Sequence, residues 1–214
     1  MNVALINGSS KLGQENNSKI LLNFFEQKLI PHNTIFNYAV NKNPLNEEQI
    51  RELFTMDVIV IAFPLYCDAP PSHLVKMMIQ IEDYSKNNTI SKNLHVYIIA
   101  NNGFYEGKQN EIALEIMKNW CDRAGFIYGQ GIGHGAGEML PYIKNVPLGH
   151  GPLKNLGKAL DEIIKNINNK QRGENIFISP NFPYMLWRFM ATNVFWNRRA
   201  KKNGISKKDI MRKL

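Results

Sequence analysis

Short apolar runs alternate with helical spacings from the start of the chain to about residue 167. Val3-Ala4-Leu5-Ile6 is uninterrupted and predicts a buried strand. After a polar loop, Ile20, Leu21, Phe24, Phe25 and Leu29 recur at spacings of three and four, predicting a helix that Pro31 ends. Thr34 to Tyr38 reads as a short strand. Asn46 before Glu47 and Glu48 reads as the cap of a helix running to Phe54. Val58 to Ala62 is again wholly apolar, as a central strand covered on both faces must be. Ser72 is placed to cap a helix bearing Leu74, Val75, Met78, Ile79 and Ile81. His95 to Ala100, Glu111 to Ala124 and the stretch beginning at Phe126 continue as strand, helix and a fifth, glycine-rich strand, and Leu153 to Ile167 is a fifth helix. Five β–α units without an obvious hairpin predict an α/β fold: one open, five-stranded parallel sheet with helices on both faces.

In such a sheet, ligands sit at the carboxyl ends of the strands, where three loops gather here. The first, Asn7 to Ser18, joins a strand to a helix. Its backbone N–H groups, the hydroxyls of Ser9, Ser10 and Ser18, and the helix N-terminus suit an anion, although a plain turn and cap accounts for the same glycine and serines. The second, Pro64-Leu65-Tyr66-Cys67-Asp68-Ala69-Pro70-Pro71-Ser72, is stiffened by three prolines. It offers a fixed backbone edge to a planar heterocycle beside Leu65 and Tyr66, or else is a turn in which Tyr66 packs. In the third, Asn101-Asn102-Gly103-Phe104-Tyr105-Glu106-Gly107, Gly103 allows close backbone approach and Phe104 with Tyr105 can wall a ring; an ordinary turn reads the same way.

Composition changes this picture in three places. The two cysteines, Cys67 and Cys121, are too few and too far apart for a disulfide framework or a zinc ribbon, and His134 and His150 have no cysteine or carboxylate cluster around them, so no metal is expected. No secretion signal or bilayer-length apolar run is present, which leads to the expectation of a cytoplasmic protein. The net charge of +8 is local. Of 26 basic and 18 acidic residues, nine basic and one acidic fall in 188–214, leaving 17 of each in the body.

The three loops together resemble the flavodoxin-like NAD(P)H-dependent FMN reductases, which include quinone- and nitro-reducing flavoenzymes. The similarity rests on Gly8-Ser9-Ser10 with Asn17-Ser18, Pro64-Leu65-Tyr66, and Gly103-Phe104 with Glu106, in order over about residues 1 to 130. Ser10-Lys11 stands where the family often has Pro-Arg, and Asn16 where serine is usual. The resemblance implies a flavodoxin-like three-layer sandwich over residues 1–170, with bound FMN and NAD(P)H as co-substrate. It places the FMN phosphate at Ser9, Ser10, Lys11, Asn16, Asn17 and Ser18, and the isoalloxazine between Pro64, Leu65, Tyr66, Cys67 and Asn101, Asn102, Gly103, Phe104, Tyr105. Tyr66, Phe104 and Tyr105 are the candidates for the exposed flavin face, and no proton donor is implied. The acceptor class is a quinone, flavin or nitroaromatic; the rival is an FMN-bearing electron carrier serving a protein partner.

Two regions fall outside that scheme. Gly129 to Gly137 is glycine-rich and reads as a flexible turn near the flavin, with His134 either a contact there or, by default, a surface or structural histidine; its late position argues against a second dinucleotide site. Residues 171–214 form a basic, aromatic extension, expected to be helical. Tyr184-Met185-Leu186-Trp187-Arg188-Phe189-Met190 and Val194-Phe195-Trp196 precede a basic run from Arg198 to Lys213. This composition suits docking in a homodimer or packing on the chain's own domain, with peripheral membrane contact through 184–214 as the third reading. No nucleic-acid reading motif accompanies the cations.

Overall fold

The computed structural model describes residues 1–11, 15–41, 44–88, 93–210 and 212. Parts of the first loop (12–14) and of the basic run (213) therefore lie outside the described residues. Two compact units are present, 1–180 and 181–214.

The first unit is a parallel sheet between two helical layers. Its strands are β1 (Asn2–Asn7), β2 (Thr34–Ala39), β3 (Val58–Pro64), β4 (His95–Asn101), β5 (Ile127–His134) and β6 (Ile176–Ile178), in spatial order β2-β1-β3-β4-β5-β6. Every pairing is parallel. The principal helices are α1 (Asn17–Leu29), α2 (Glu47–Leu53), α3 (Ser72–Asn87), α4 (Glu111–Ala124), the short α5 (Leu140–Ile143) and α6 (Lys154–Asn168). Alternation along the strands divides the core. Ala4, Ile6, Ile59, Ile61, Val96 and Ile98 pack under α2, α3 and α4. Val3, Leu5, Val58, Val60, Tyr97 and Ile99 pack under α1, α5 and α6. Each fully buried valine, leucine or isoleucine among them contributes about 1.5–3 kcal/mol by leaving water.

Local chemistry explains the boundaries. Asn46 and Gln49 form a reciprocal capping box at the start of α2. Gly125 takes a left-handed φ of 71° to end α4. At α3 the expected serine cap is absent: Ser72 is the first helical residue and Pro71 precedes it without a side-chain cap bond, since two prolines already set the entry angle.

Six strands, not five, make up the sheet. The sixth comes from residues assigned by sequence to the extension, and polar side chains on β5 and α6 hold it there. Asn175 Oδ1 accepts from Gly131 N at 2.9 Å and from Tyr128 Oη at 2.8 Å, while Gln130 Nε2 donates to Glu174 O at 2.7 Å and Gly173 N to Gly129 O at 2.8 Å. Three residues of strand are too few to show a period.

The glycine-rich run is likewise not a flexible turn. Residues 127–134 are strand, buried from Gly129 onward, and the glycines are required by close neighbours. The register with β4 slips between Val96 and Tyr97, so that Gly129 becomes the extra residue of a bulge. A Cβ on Gly129 would lie 2.5 Å from the Tyr97 ring, and one on Gly133 would lie 2.6 Å from Gly107 O.

The second unit is helical over α7 (Tyr184–Met190), a π-helical segment Ala191–Trp196 and α8 (Asn197–Lys202). Tyr184 stacks on Trp187 with ring centroids 6.0 Å apart, and the Arg199 guanidinium lies 4.1 Å from the Phe195 ring centroid. Among the described residues, no helix is long and apolar enough to cross a membrane.

Candidate functional site

The chain leaves β1 on one side of the sheet to form β2 and returns to the other side to form β3, so strand order reverses between β1 and β3. That reversal opens a crevice at the carboxyl ends of the strands. A cleft of about 160 Å³ lies there, lined by Ser9, Lys11, Asn16, Asn17, Ser18, Pro64, Leu65, Tyr66, Asn101, Asn102, Gly103 and Glu138. All three expected loops contribute to it.

One end gathers donors of the kind that suit an anion. Asn16 caps α1, its Oδ1 accepting from Lys19 N at 3.0 Å, and as the first helical residues Asn17 and Ser18 have N–H groups without intrahelical acceptors. Asn7 Oδ1 accepts from Ser9 N at 3.1 Å, and Gly8 N donates to Ala62 O at 2.8 Å, tying this loop to β3. Ser18 is buried, and its Oγ accepts from Asn101 Nδ2 at 3.1 Å; the same amide reaches Phe63 O at 2.9 Å. One side chain on β4 thus fixes both α1 and the end of β3.

The other end is apolar and backbone-rich. Leu65 N donates to Asn101 O at 2.8 Å, joining the second and third loops. Tyr66 and Ala69 exchange backbone hydrogen bonds at 3.0 Å across a two-residue turn, in which Cys67 and Asp68 take φ of 46° and 61°. Two consecutive left-handed, non-glycine residues give the reversal of a type I′ turn at some strain. Tyr66 is held over the crevice by a hydrogen bond between its Oη and Ser10 Oγ. Gly103 borders the cleft with open space around it: the nearest atom to a Cβ built there is Glu138 Cγ at 3.8 Å. The Asn102 side chain donates from Nδ2 to Glu106 O at 3.2 Å, whereas its Oδ1 is buried and without a hydrogen-bond partner. Such an acceptor calls for a donor.

Not every expected residue lines the cleft. Ser10 acts through its bond to Tyr66, and Cys67 is turned out at the loop tip, exposed. Phe104 is exposed beside the crevice, and Tyr105 Oη donates to Pro180 O at 3.5 Å. His134 is buried under the third loop and does not line the cleft; its Nδ1 lacks a partner, and burial pushes its pKa from 6.5 down to about 4, leaving a neutral ring. Glu138 was not anticipated. It follows Ala136, whose φ of 54° turns the chain after β5 back toward Gly103. The only sequence signal was the end of the glycine run. Among the described residues, no group of His, Cys, Asp and Glu could hold a metal ion.

The fold has relatives among solved structures. A putative quinone reductase from Klebsiella pneumoniae superposes with a TM-score of 0.57 at 11% identity, over 78% of this chain and 85% of that one. An NADPH-quinone reductase from P. pentosaceus gives 0.55 at 14% identity, over 78% and 97%. An NADH:FMN oxidoreductase in its apo form gives 0.53 at 12%, over 75% and 87%. At these identities the likeness is one of fold, and it agrees with the strand order, which in β2-β1-β3-β4-β5 is that of flavodoxin-like sheets. No protein-family model and no curated protein matches the sequence.

Proposed function

We propose that this chain is an FMN-dependent oxidoreductase that passes electrons from NAD(P)H to a quinone, flavin or nitroaromatic acceptor. One observation carries the reading: a single crevice joins the capped N-terminus of α1, with Ser9, Lys11 and Ser18, to the Pro64-Leu65-Tyr66 edge and Gly103. The first end has the donors for a phosphomonoester, and the second has the flat, close-approach surface for a tricyclic ring. The unpartnered Asn102 Oδ1 supplies an acceptor of the kind an imide N–H requires. The names of the fold relatives, an NADPH-quinone reductase and an NADH:FMN oxidoreductase among them, support the same class.

Bound FMN would supply the hydride and electron chemistry. The chain's own task is alignment. Ser9, Lys11, Asn17 and Ser18 would hold the phosphate, and the proline-stiffened backbone of Pro64 to Tyr66 would fix the ring edge. Tyr66, restrained by Ser10, would limit what stacks on the open face and exclude water from it.

The test is the visible spectrum of the purified protein. A yellow protein whose flavin band bleaches rapidly on adding NADPH or NADH is expected. Flavin reduced only by a protein donor would mark an electron carrier instead, and a colourless protein that takes up no added FMN would sink both readings.

A further inference from the structure

We infer that the second unit is a peripheral anchor for membrane surfaces rich in anionic phospholipid. It presents Met185, Leu186, Phe189, Met190, Val194 and Trp196 to solvent, with Met185 71%, Phe189 60% and Trp196 57% exposed. No residue of this unit's helices is buried. Globular proteins rarely leave so contiguous an apolar surface uncovered unless something else covers it.

Charge selects the occupant. The aromatic block carries one cation, Arg188, and is followed directly by Arg198, Arg199, Lys201, Lys202, Lys207 and Lys208. The single acid from 188 onward, Asp209, is engaged by Ser206 Oγ at 2.5 Å. A second copy of the chain offers a body with 17 basic and 17 acidic residues, which gives these cations no net opposite charge to meet. An anionic lipid surface gives both halves what they need: headgroups for the cations, and the headgroup–acyl boundary for Trp, Phe, Met and Leu. The apolar block is too short to span, so the segment lies in the surface.

The relatives sharpen the point. The P. pentosaceus reductase is matched over 97% of its length but accounts for only 78% of this chain. This protein therefore carries residues beyond the shared fold.

Co-sedimentation of the full-length protein with vesicles tests the inference. Vesicles of equal parts phosphatidylcholine and phosphatidylglycerol should pellet the protein, and phosphatidylcholine alone should not. High salt should weaken the binding by screening. The double variant Phe189→Ala/Trp196→Ala and, separately, Lys201→Gln/Lys202→Gln should each lower partitioning roughly tenfold or more, with an unchanged circular dichroism spectrum. Binding to neither vesicle, equal binding to both, or variants that bind like the parent would overturn it. So would a vesicle-independent dimer that the same substitutions dissociate, which would make a second copy the occupant.

Discussion

Tyr66 Oη and Ser10 Oγ stand 3.1 Å apart, and their hydrogen bond is a side-chain strut between the first and second loops of the crevice. Both residues are exposed, so the bond adds little to global stability but restrains the tyrosine ring. Tyr66→Phe removes only the hydroxyl. Flavin affinity should fall by a few fold, about 1 kcal/mol or less, with the denaturation midpoint unchanged. Fluorescence titration with FMN measures the first and urea unfolding the second. A variant that binds as tightly as the parent would show the strut to be idle.

Asn101 is the opposite case. Its buried amide donates to Ser18 Oγ and Phe63 O, and its backbone oxygen receives Leu65 N. Asn101→Ala strands two buried acceptors, which should cost about 1–3 kcal/mol of stability and lower FMN affinity together. Equilibrium unfolding of the cofactor-free protein reads the stability loss directly.

Glycines in this chain divide by what surrounds them. Gly103 has free space at the rim, whereas a Cβ on Gly133 would fall 2.6 Å from Gly107 O and 2.7 Å from Phe177 Cδ1. Gly103→Leu should therefore keep the fold and its thermal midpoint while lowering flavin occupancy. Gly133→Ala should destabilise the β5–β6 edge by about 1–3 kcal/mol. Flavin content per mole of purified protein, set beside the melting curve, separates the two outcomes.

Burial holds the pKa of His134 at about 4 against an ordinary 6.5, and His95 is lowered in the same direction, chiefly by burial. Between those two values the unfolded chain binds more protons than the folded one, so stability falls as pH drops from about 6.5 toward 4 and is fully present above that window. His134→Gln should flatten part of this slope, His95 retaining the remainder. Urea midpoints at a series of pH values check it; equal slopes in parent and variant would refute the assignment to His134.

Much of this was legible in the chain. Uninterrupted runs such as Val58 to Ala62 identify central strands because both faces must be apolar, and Asn46 before Glu47 and Glu48 announces its helix as a cap followed by acids in the first turn. The three loops were legible as well, because proline, glycine and serine at a strand's end do recognisable backbone work. What escaped was long-range. β6 depends on Asn175 meeting Gly131 N and on Gln130 meeting Glu174 O, each across 44 positions, which no window of sequence records. The strand glycines of β5 looked like a turn because their reason, the Tyr97 ring and the Gly107 carbonyl, lies on other elements. Glu138 enters the crevice through the left-handed Ala136, and alanine gives no hint of that φ.

The crevice also fixes when the protein can work. Its walls come from residues as far apart as Ser9 and Glu138, drawn from four separate strand-to-helix connections. No fragment short of the assembled sheet holds them together. A ligand seated there recognises only the finished fold and so draws the folding equilibrium toward it, by about 2.7 kcal/mol at a hundredfold excess over Kd. Cells short of that ligand would carry this protein in a shorter-lived form, and its supply would set how much of the chain survives as well as how much is active.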